Sequence, residues 1–299
     1  MKDSQPTSSE ANRGGVKMEY ATLSNGMKMP MLGMGVFQVP EAECERLVTE
    51  DLETGYRLID TAQAYGNEAA VGRAIRQSGL AREDVFVTSK LSSIINEGQA
   101  VQAIEGSLDK LDIDYVDLFL LHAPWGDSYA AWRALERVLE TGRVKAIGVS
   151  NFNAGAVADL TVFNRVTPVL DQIEIDPFNQ KKTDVAYLRS QGIVPEAWGP
   201  LGQGRADLYT NPVLKGLADQ HQKTVAQVVL HWNIQRGVVV IPKTTHRERM
   251  AENLAVFDFT LTKEEMAAIS QLDEAPADFI YDPDYIQQTV AGFVKNWSK

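Results

Sequence analysis

The sequence predicts an α/β protein that folds as a (β/α)₈ TIM barrel with a β-hairpin before its first strand. Short apolar segments recur eight times along the 299 residues, and amphipathic stretches long enough to form helices separate them. No linker or change of composition divides this series. An unbroken run of βα units in one chain favours a closed barrel over an open parallel sheet.

The opening hairpin is predicted over residues 20–31. Asn25-Gly26 lies between two short strand-like segments, and this dipeptide favours a two-residue turn because both positions tolerate a positive φ. Barrel strands are then predicted at Leu32–Met34, Arg57–Asp60, Val85–Ser89, Val116–Leu121, Ala146–Val149, Val169–Ile173, Val194–Trp198 and Val238–Ile241. Several consist almost entirely of apolar residues, as expected of strands that are covered on both faces.

The segments between the strands have the spacing of helices. Ala103, Leu108 and Leu111, for example, fall on one face of a helix because they are separated by whole or nearly whole turns. Glycines that directly follow such segments are expected to end the helices in a left-handed conformation. These are Gly55, Gly79, Gly142 and Gly192.

We expect one barrel domain over residues 19–299, which includes a C-terminal segment, and a flexible extension over residues 1–18. The extension is rich in Ser, Asn, Gly and charge, and it lacks the apolar core of a secretory signal. No later segment approaches the roughly 18 consecutive apolar residues of a membrane span. The sequence therefore indicates a cytoplasmic protein with no membrane partner.

The charge balance narrows the possible ligands. A formal net charge of -11 and a pI near 4.9 disfavour nucleic acid as a partner, because phosphates would be repelled at long range. Any anionic ligand must therefore find a local cationic site. The single cysteine, Cys44, cannot form a disulfide within the chain, which fits a reducing compartment.

Polar residues end or interrupt several of the apolar segments. Asp60, Lys90 and His122 end or follow three successive predicted strands, and Gln172 and Lys243 lie in or after later ones. Catalytic groups of such barrels lie at the carboxyl ends of the strands, so these side chains are expected at one mouth. A buried Asp and a buried Lys on neighbouring strands can form an ion pair, whereas either alone would be costly.

Tyr65 lies in the loop after Asp60 and can reach the same mouth. A phenol with its usual pKa near 10 is a poor proton donor at neutral pH, and a nearby cation such as Lys90 is expected to lower that pKa. His122 can donate a hydrogen bond that orients a carbonyl oxygen. These residues deliver a proton but no hydride, so the chemistry would need a nicotinamide or a flavin.

Two motifs resemble the aldo-keto reductase superfamily, in particular its bacterial diketogluconate reductase-like members. The first motif is Gly55-Tyr56-Arg57-Leu58-Ile59-Asp60-Thr61-Ala62, followed by Tyr65, Asn67-Glu68 and Val71-Gly72. The second motif is Ile241-Pro242-Lys243-Thr244, followed by Arg249 and Glu252-Asn253. The resemblance runs from about Leu23 to the end of the barrel.

The resemblance implies a carbonyl reductase with no metal, acting as a monomer on small carbonyl substrates. It implies a catalytic tetrad of Asp60, Tyr65, Lys90 and His122 and an extended NADPH across the mouth. Ser150, Asn151 and Gln172 would bind the nicotinamide carboxamide, and Trp198 would stack on its ring. Lys243, Thr244 and Arg249 would bind the 2′-phosphate and select NADPH over NADH. The remaining implied cofactor contacts are Gly35, Val36, Gly199, Pro200, Leu201, Gly202, Glu252 and Asn253.

The substrate pocket departs from the family pattern. The implied substrate contacts are Phe37, Tyr65, His122 and Trp125, but Ala123 stands directly after the histidine, where the family often has Trp. Fewer large aromatics would leave room for bulkier or more hydrated carbonyl compounds such as keto sugars and keto acids. The aromatic-rich segment from Asp273 to Lys299 either closes over the substrate or packs on the barrel exterior.

Two other functions remain open at this point. A lysine among apolar residues on a barrel strand is typical of Schiff-base aldolases, which would make Lys90 a nucleophile. Its expected pairing with Asp60 disfavours this, because a protonated lysine attacks poorly. The second alternative is an NADPH-binding regulatory or sensor protein without turnover, which an intact tetrad disfavours.

Overall fold

The computed structural model describes residues 18–92 and 96–289. The predicted flexible extension, except Met18, lies outside the described residues, as do Phe293 and Trp297 of the C-terminal segment. Two strands form the N-terminal hairpin, β1 (Tyr20–Thr22) and β2 (Lys28–Pro30). The barrel strands are β3 (Met34–Gly35), β4 (Leu58–Asp60), β5 (Phe86–Leu91), β6 (Leu118–Leu121), β7 (Ile147–Ser150), β8 (Leu170–Glu174), β9 (Val194–Trp198) and β10 (Val239–Val240).

Eight parallel strands form the barrel, each paired with the next along the chain from β3 to β10. The first and last strands meet through a parallel bridge between Leu32 and Val240. The backbone N–H of Gly33 donates to the carbonyl of Val240 at 2.8 Å, and the N–H of Val240 donates to the carbonyl of Met31 at 3.0 Å. These bonds close the sheet on itself, so the predicted barrel is confirmed.

Helices alternate with the strands and cover the outside of the barrel. They are α1 (Glu41–Thr54), α2 (Glu68–Gln77), α3 (Glu97–Leu111), α4 (Ser128–Glu140), α5 (Ala154–Phe163), α6 (Lys182–Ser190), α7 (Ala206–Thr210), α8 (Pro212–His221), α9 (Val225–Gln235), α10 (Arg247–Leu254) and α11 (Lys263–Ser270). Among the described residues, no helix combines the length and the apolar character that a bilayer crossing requires.

The hairpin forms as predicted, but its turn is one residue longer. β1 and β2 are antiparallel, and the N–H of Leu23 donates to the carbonyl of Met27 at 2.9 Å across a three-residue loop. Of the two turn residues predicted to have positive φ, only Gly26 has one, at 89°. This is the pattern of a type I turn followed by a left-handed residue, in which Asn25 instead uses its side chain to accept from the N–H of Met27 at 3.2 Å.

Helices α2 and α3 approach closely at Gly72, a residue of the first sequence motif. A Cβ atom added there would lie 1.8 Å from the backbone carbonyl oxygen of Leu111, which cannot move without moving the end of α3. By contrast, a Cβ atom added at Gly106, within α3, meets nothing within 4 Å. The close approach of the two helices therefore excludes a side chain at Gly72, whereas there is space for one at Gly106.

We expect Gly72→Ala to lower the free energy of unfolding by about 1–3 kcal/mol, because the two helices must separate. Gly106→Ala serves as the matched control and should raise the free energy of unfolding by about 0.5–1 kcal/mol, because alanine loses less entropy in a helix. Urea unfolding of both variants measures the difference. Equal effects of the two substitutions would contradict this account of the α2–α3 contact.

Candidate active site

The four predicted catalytic residues lie together at the carboxyl ends of the strands. Asp60 is the last residue of β4, Lys90 lies near the end of β5, and His122 directly follows β6. Tyr65 ends a 3₁₀ turn, Gln63–Tyr65, just beyond β4. Because neighbouring parallel strands end at the same edge, residues far apart in the sequence converge there.

A buried asparagine holds the loop that carries Tyr65. The side-chain amide of Asn67 donates to the backbone carbonyls of Val36 and Val39 at 3.0 and 3.1 Å, and its oxygen accepts from the hydroxyl of Thr61 at 2.7 Å. The segment after β3 is therefore tied to the segment after β4. Val36, a predicted cofactor contact, also donates its N–H to the carbonyl of Asp60 at 3.0 Å, and Gly35 lies beside it at the end of β3.

The ammonium group of Lys90 is completely buried and fully hydrogen-bonded. It donates to Oδ1 of Asp60 at 2.5 Å, to the backbone carbonyl of Thr61 at 3.0 Å and to the hydroxyl oxygen of Tyr65 at 3.3 Å. Each of its three hydrogens thus has an acceptor. Burial by itself would lower the pKa of Lys90, but the negative charge of Asp60, its hydrogen bond to the ammonium and the effects of Tyr65 and Glu196 together outweigh burial, and the pKa is raised. Lys90 is therefore an ammonium ion at neutral pH.

The phenol of Tyr65 is subject to opposing influences. Burial raises its pKa, the positive charge of Lys90 opposes this, and the negative charge of Asp60 adds to the rise, so that the net shift is upward. The effect of Lys90 has the expected sign. The net direction is nevertheless opposite to that expected from Lys90 alone, because the cost of placing a phenolate in a buried site is larger.

The imidazole of His122 faces the ring of Tyr65 edge-on, with the ring centroids 5.6 Å apart and the planes at 71°. Burial and, next, repulsion by Lys90 lower the pKa of His122 to about 3. The imidazole is therefore neutral at physiological pH and carries one N–H donor and one acceptor nitrogen.

Gln172 joins the Lys90–Asp60 pair to a second buried carboxylate that was not predicted. Its side-chain nitrogen donates to Oδ2 of Asp60 at 2.9 Å and to Oε2 of Glu196 at 2.8 Å. Glu196 lies in β9 directly beside Gln172 in β8, and both side chains are almost completely buried. The available sequence signal was a carboxylate within the otherwise apolar segment Val194–Trp198. It was not predicted because Glu196 lies in the middle of the strand and not at its end.

The four predicted nicotinamide contacts are joined by hydrogen bonds. The amide nitrogen of Asn151 donates to the carbonyl of His122 at 2.9 Å and to the hydroxyl of Ser150 at 3.1 Å, and its oxygen accepts from the indole N–H of Trp198 at 2.9 Å. The hydroxyl of Ser150 donates to the backbone carbonyl of Gln172 at 2.9 Å. The network fixes the indole plane of Trp198 at the mouth.

The loop after β9 contains the next group of predicted cofactor contacts. Gly199 and Gly202 both have left-handed backbone, with φ of 59° and 63°, and the N–H of Gly202 donates to the carbonyl of Gly199 at 2.9 Å. Pro200 and Leu201 lie within this turn, and Pro200 is buried. Gln203 ties the loop to the end of β8, because its amide donates to Glu174 at 2.6 Å.

Of the predicted 2′-phosphate residues, Lys243 and Thr244 lie between β10 and α10, and Arg249 lies in the first turn of α10. Lys243 and Arg249 are exposed, whereas Thr244 is buried and its hydroxyl accepts from the N–H of His246. Within residues 18–92 and 96–289, neither Lys243 nor Arg249 takes part in an ion pair. The remaining two predicted contacts differ in exposure, because Glu252 is half-buried and Asn253 is buried. Glu252 accepts from the hydroxyl of Thr224 at 2.8 Å.

Aromatic side chains surround the mouth. Phe37 lies 5.0 Å from the ring of Tyr65 between centroids, and half of its surface is exposed. The C-terminal segment adds two rings, because Phe279 packs on Trp198 at 6.4 Å and Tyr285 packs on Trp125 at 5.9 Å.

Two hydrogen bonds hold this segment across the mouth. The indole of Trp125 donates to the carbonyl of Ile280 at 3.0 Å, and the hydroxyl of Tyr281 accepts from the N–H of Asn153 at 2.8 Å. Residues 279–285 therefore lie over the barrel mouth, and their aromatic rings supply part of the wall that the sequence lacks after His122. Among the described residues, no group of His, Cys, Asp and Glu side chains could hold a metal ion.

Comparisons with known proteins identify the family and agree with the fold. The model of the aldo/keto reductase family matches residues 29–274. An uncharacterised oxidoreductase of Bacillus subtilis is 45% identical over 85% of this chain and 92% of its own length, and morphine 6-dehydrogenase of Pseudomonas putida is 42% identical over 86% and 92%. The crystal structure of an aldo-keto reductase of Bombyx mori in complex with NADP superposes with a TM-score of 0.84, at 33% identity, over 91% of this chain and 97% of that one.

The neutral state of His122 predicts part of the acid sensitivity of the protein. The folded pKa is about 3, whereas the unfolded value is near 6.5, so between these values only the unfolded state binds the proton and stability falls as the pH falls. Between pH 7 and pH 5 we expect His122→Asn to lose about 1–2 kcal/mol less free energy of unfolding than the wild type. Urea unfolding at both pH values measures this, and equal losses would contradict it.

The exposed His246 provides the control. His246→Asn should leave the difference between pH 7 and pH 5 as it is in the wild type, because the substitution changes a side chain at the protein surface.

Proposed function

Because the chain belongs to the aldo/keto reductase family, we propose that it reduces aldehydes or ketones to alcohols with NADPH and that Tyr65 donates the proton. The observation that carries the proposal is the hydrogen bond from the buried ammonium of Lys90 to the hydroxyl oxygen of Tyr65, at 3.3 Å. An ammonium group can only donate hydrogen bonds, so the hydroxyl oxygen of Tyr65 accepts from Lys90. The phenolic hydrogen is therefore free to be donated elsewhere.

The bound nicotinamide would supply the hydride that the side chains cannot. As the carbonyl oxygen gains negative charge, Tyr65 transfers its proton to that oxygen, and the ammonium of Lys90 stabilises the phenolate that remains. Asp60 keeps Lys90 charged throughout. The upward pKa of Tyr65 keeps the phenol protonated before the reaction, which is the state that a general acid requires.

His122 would orient the carbonyl oxygen without adding charge. A neutral imidazole can donate one N–H to the oxygen, and it does not compete with Tyr65 as an acid because its pKa is about 3. The contact between the two rings, with centroids 5.6 Å apart, supports a joint role of His122 and Tyr65 as donors to one substrate atom. A carbonyl oxygen placed between them could accept from both.

The described residues also fit the proposed cofactor. Lys243 and Arg249 form no ion pair with any described residue, in a chain of strongly negative net charge. Lys243 precedes α10 and Arg249 lies in its first turn, which has no side-chain cap. Free backbone N–H groups at a helix amino end favour an anion, and charge-assisted bonds from Lys and Arg would add to this. These residues would hold the 2′-phosphate. Gln172, Asn151 and Trp198 would hold the nicotinamide end.

The mouth favours carbonyl substrates with an aromatic or apolar body. Phe37 packs on Tyr65, and Trp125, Phe279 and Tyr285 add ring surfaces that pack on one another at the mouth. One of the relatives is named for morphine. Burial of such a body against several rings would stabilise binding by the hydrophobic effect.

The geometry argues against a Schiff-base aldolase. A nucleophilic lysine needs a free lone pair, but all three hydrogens of the Lys90 ammonium have acceptors and Asp60 raises its pKa. A sensor that binds NADPH without turnover would have no use for a charged lysine beside a phenol. Tight NADPH binding with no reduction of any carbonyl compound in a broad panel would favour the sensor.

We expect Tyr65→Phe to lower turnover by roughly 10²- to 10⁴-fold, because it removes the general acid. The affinity for NADPH should stay nearly unchanged, since the ring and its packing remain. Loss of NADPH absorbance with 4-nitrobenzaldehyde measures turnover, and quenching of protein fluorescence measures affinity. Tyr20→Phe, in the exposed hairpin, is the control. Wild-type turnover in the Tyr65 variant would refute the proposed role.

We expect Arg249→Met to raise the Michaelis constant for NADPH roughly 10- to 100-fold and that for NADH by much less, because only NADPH carries the 2′-phosphate. Arg247→Met is the matched control, since the neighbouring Arg247 pairs with Glu53 at 3.0 Å. Equal effects on both cofactors would count against a 2′-phosphate site at Arg249.

A further inference from the structure

A single amide nitrogen bridges two carboxylates at the centre of the barrel. Both hydrogens of the Gln172 amide are used, one by Asp60 at 2.9 Å and one by Glu196 at 2.8 Å. The carbonyl oxygen of the same side chain accepts no hydrogen bond from the described residues. Two acceptors therefore determine which way the amide is turned, and the oxygen is the atom left for a ligand.

The charges of this cluster do not balance if every group is ionised. Lys90 supplies one positive charge, whereas Asp60 and Glu196 would supply two negative charges, and all three side chains are essentially inaccessible to water. A net charge in such an interior is costly, so one carboxyl group retains its proton. Lys90 donates directly to Asp60, which favours ionised Asp60. The proton therefore belongs on Glu196, whose Oε1 is buried and has no partner among the described residues.

We propose that Glu196 is a positioning residue of this active site: it holds a proton beside the Asp60–Lys90 pair and, together with Asp60, fixes the amide of Gln172 so that its oxygen faces a ligand. Glu196 acts through its neighbours and does not touch the reacting atoms. The proposal rests on the proposed function only in naming Tyr65 as the proton donor and the nicotinamide as the ligand.

The groups that face Glu196 come from several elements. Asp60 faces it from β4, Lys90 from β5 and the uncharged Gln172 from β8, while β10 contributes Val239. Burial and, next, repulsion by Asp60 raise the pKa of Glu196 to about 8. Above that pH, ionised Glu196 adds a negative charge that raises the pKa of Tyr65. Glu196 would thus keep the phenol protonated in alkaline solution.

Titration of the Tyr65 phenol tests the electrostatic part without turnover. The ultraviolet difference between the wild type and Tyr65→Phe isolates this one phenol, and the same difference is measured in a Glu196→Gln background. Glutamine keeps the shape and the acceptor but cannot ionise, so we expect the apparent pKa of Tyr65 to fall by roughly one unit. An unchanged pKa would overturn this part of the proposal.

Glu68→Gln is the matched control for that titration. Glu68 is also a buried carboxyl group, but it accepts from Ser89 at 2.6 Å and from Ser107 at 3.2 Å, away from Lys90. This variant should leave the Tyr65 titration unchanged. A shift equal to that of Glu196→Gln would mean that any buried substitution has the same effect, which would also overturn the proposal.

Binding measurements test the positioning part. Glu196→Leu removes an acceptor and frees the Gln172 amide, so the dissociation constant for NADPH should rise roughly 10-fold, whereas Glu196→Gln should stay within about twofold of the wild type. The control ligand is 2′-phospho-ADP-ribose, which lacks the nicotinamide ring. It should bind to the wild type and to both variants with equal affinity. Weaker binding of both ligands by Glu196→Leu would indicate general disruption and contradict the proposal. These readouts remain decisive if the protein binds NADPH but reduces nothing.

Discussion

The structure of the mouth depends on one constraint, the placement of a charged ammonium group inside a closed barrel. An unpaired charge in such an interior costs several kcal/mol, so Lys90 can be buried only if its neighbours compensate for it. Asp60 supplies the opposite charge, and Thr61 and Tyr65 supply the remaining acceptors. Tyr65, the proposed proton donor, is thus one of the groups that accept a hydrogen bond from the lysine. The hydrogen bond between Lys90 and Tyr65 is therefore needed both to bury the lysine and for the proposed proton transfer.

The barrel register makes this arrangement possible. Parallel pairing places Gly35 beside Asp60, Ser150 beside Gln172, and Gln172 beside Glu196. Side chains alternate between the two faces of a strand, so a shift of one residue would turn any of these groups out of the interior. Closure between β3 and β10 leaves no edge at which such a shift could begin.

The sequence was sufficient for the fold and for the residues that end strands, because polar side chains after apolar segments are visible without coordinates. Glu196 was missed because it interrupts a strand two residues before its end. The net pKa direction of Tyr65 was also missed, since the sequence identifies Lys90 as a neighbour but does not reveal the extent of burial. The position of the aromatic rings in residues 279–285 depends on hydrogen bonds to Trp125 and Asn153. These contacts join distant parts of the chain, so no local sequence pattern predicts them.

The protonation states combine into a site that is nearly neutral before reaction. His122 is uncharged at neutral pH, the negative charge of Asp60 balances the positive charge of Lys90, and Glu196 adds no charge in the protonated state that we propose for it. In the proposed reaction, Lys90 would be the positive charge beside the phenol when a carbonyl oxygen gains negative charge, and the proton of Tyr65 would move toward that oxygen. A protonated histidine would offer a second acid at the same position, and an ionised Glu196 would weaken the pull of Lys90. At neutral pH burial disfavours both charged states, which supports the proposal that the tyrosine transfers the proton.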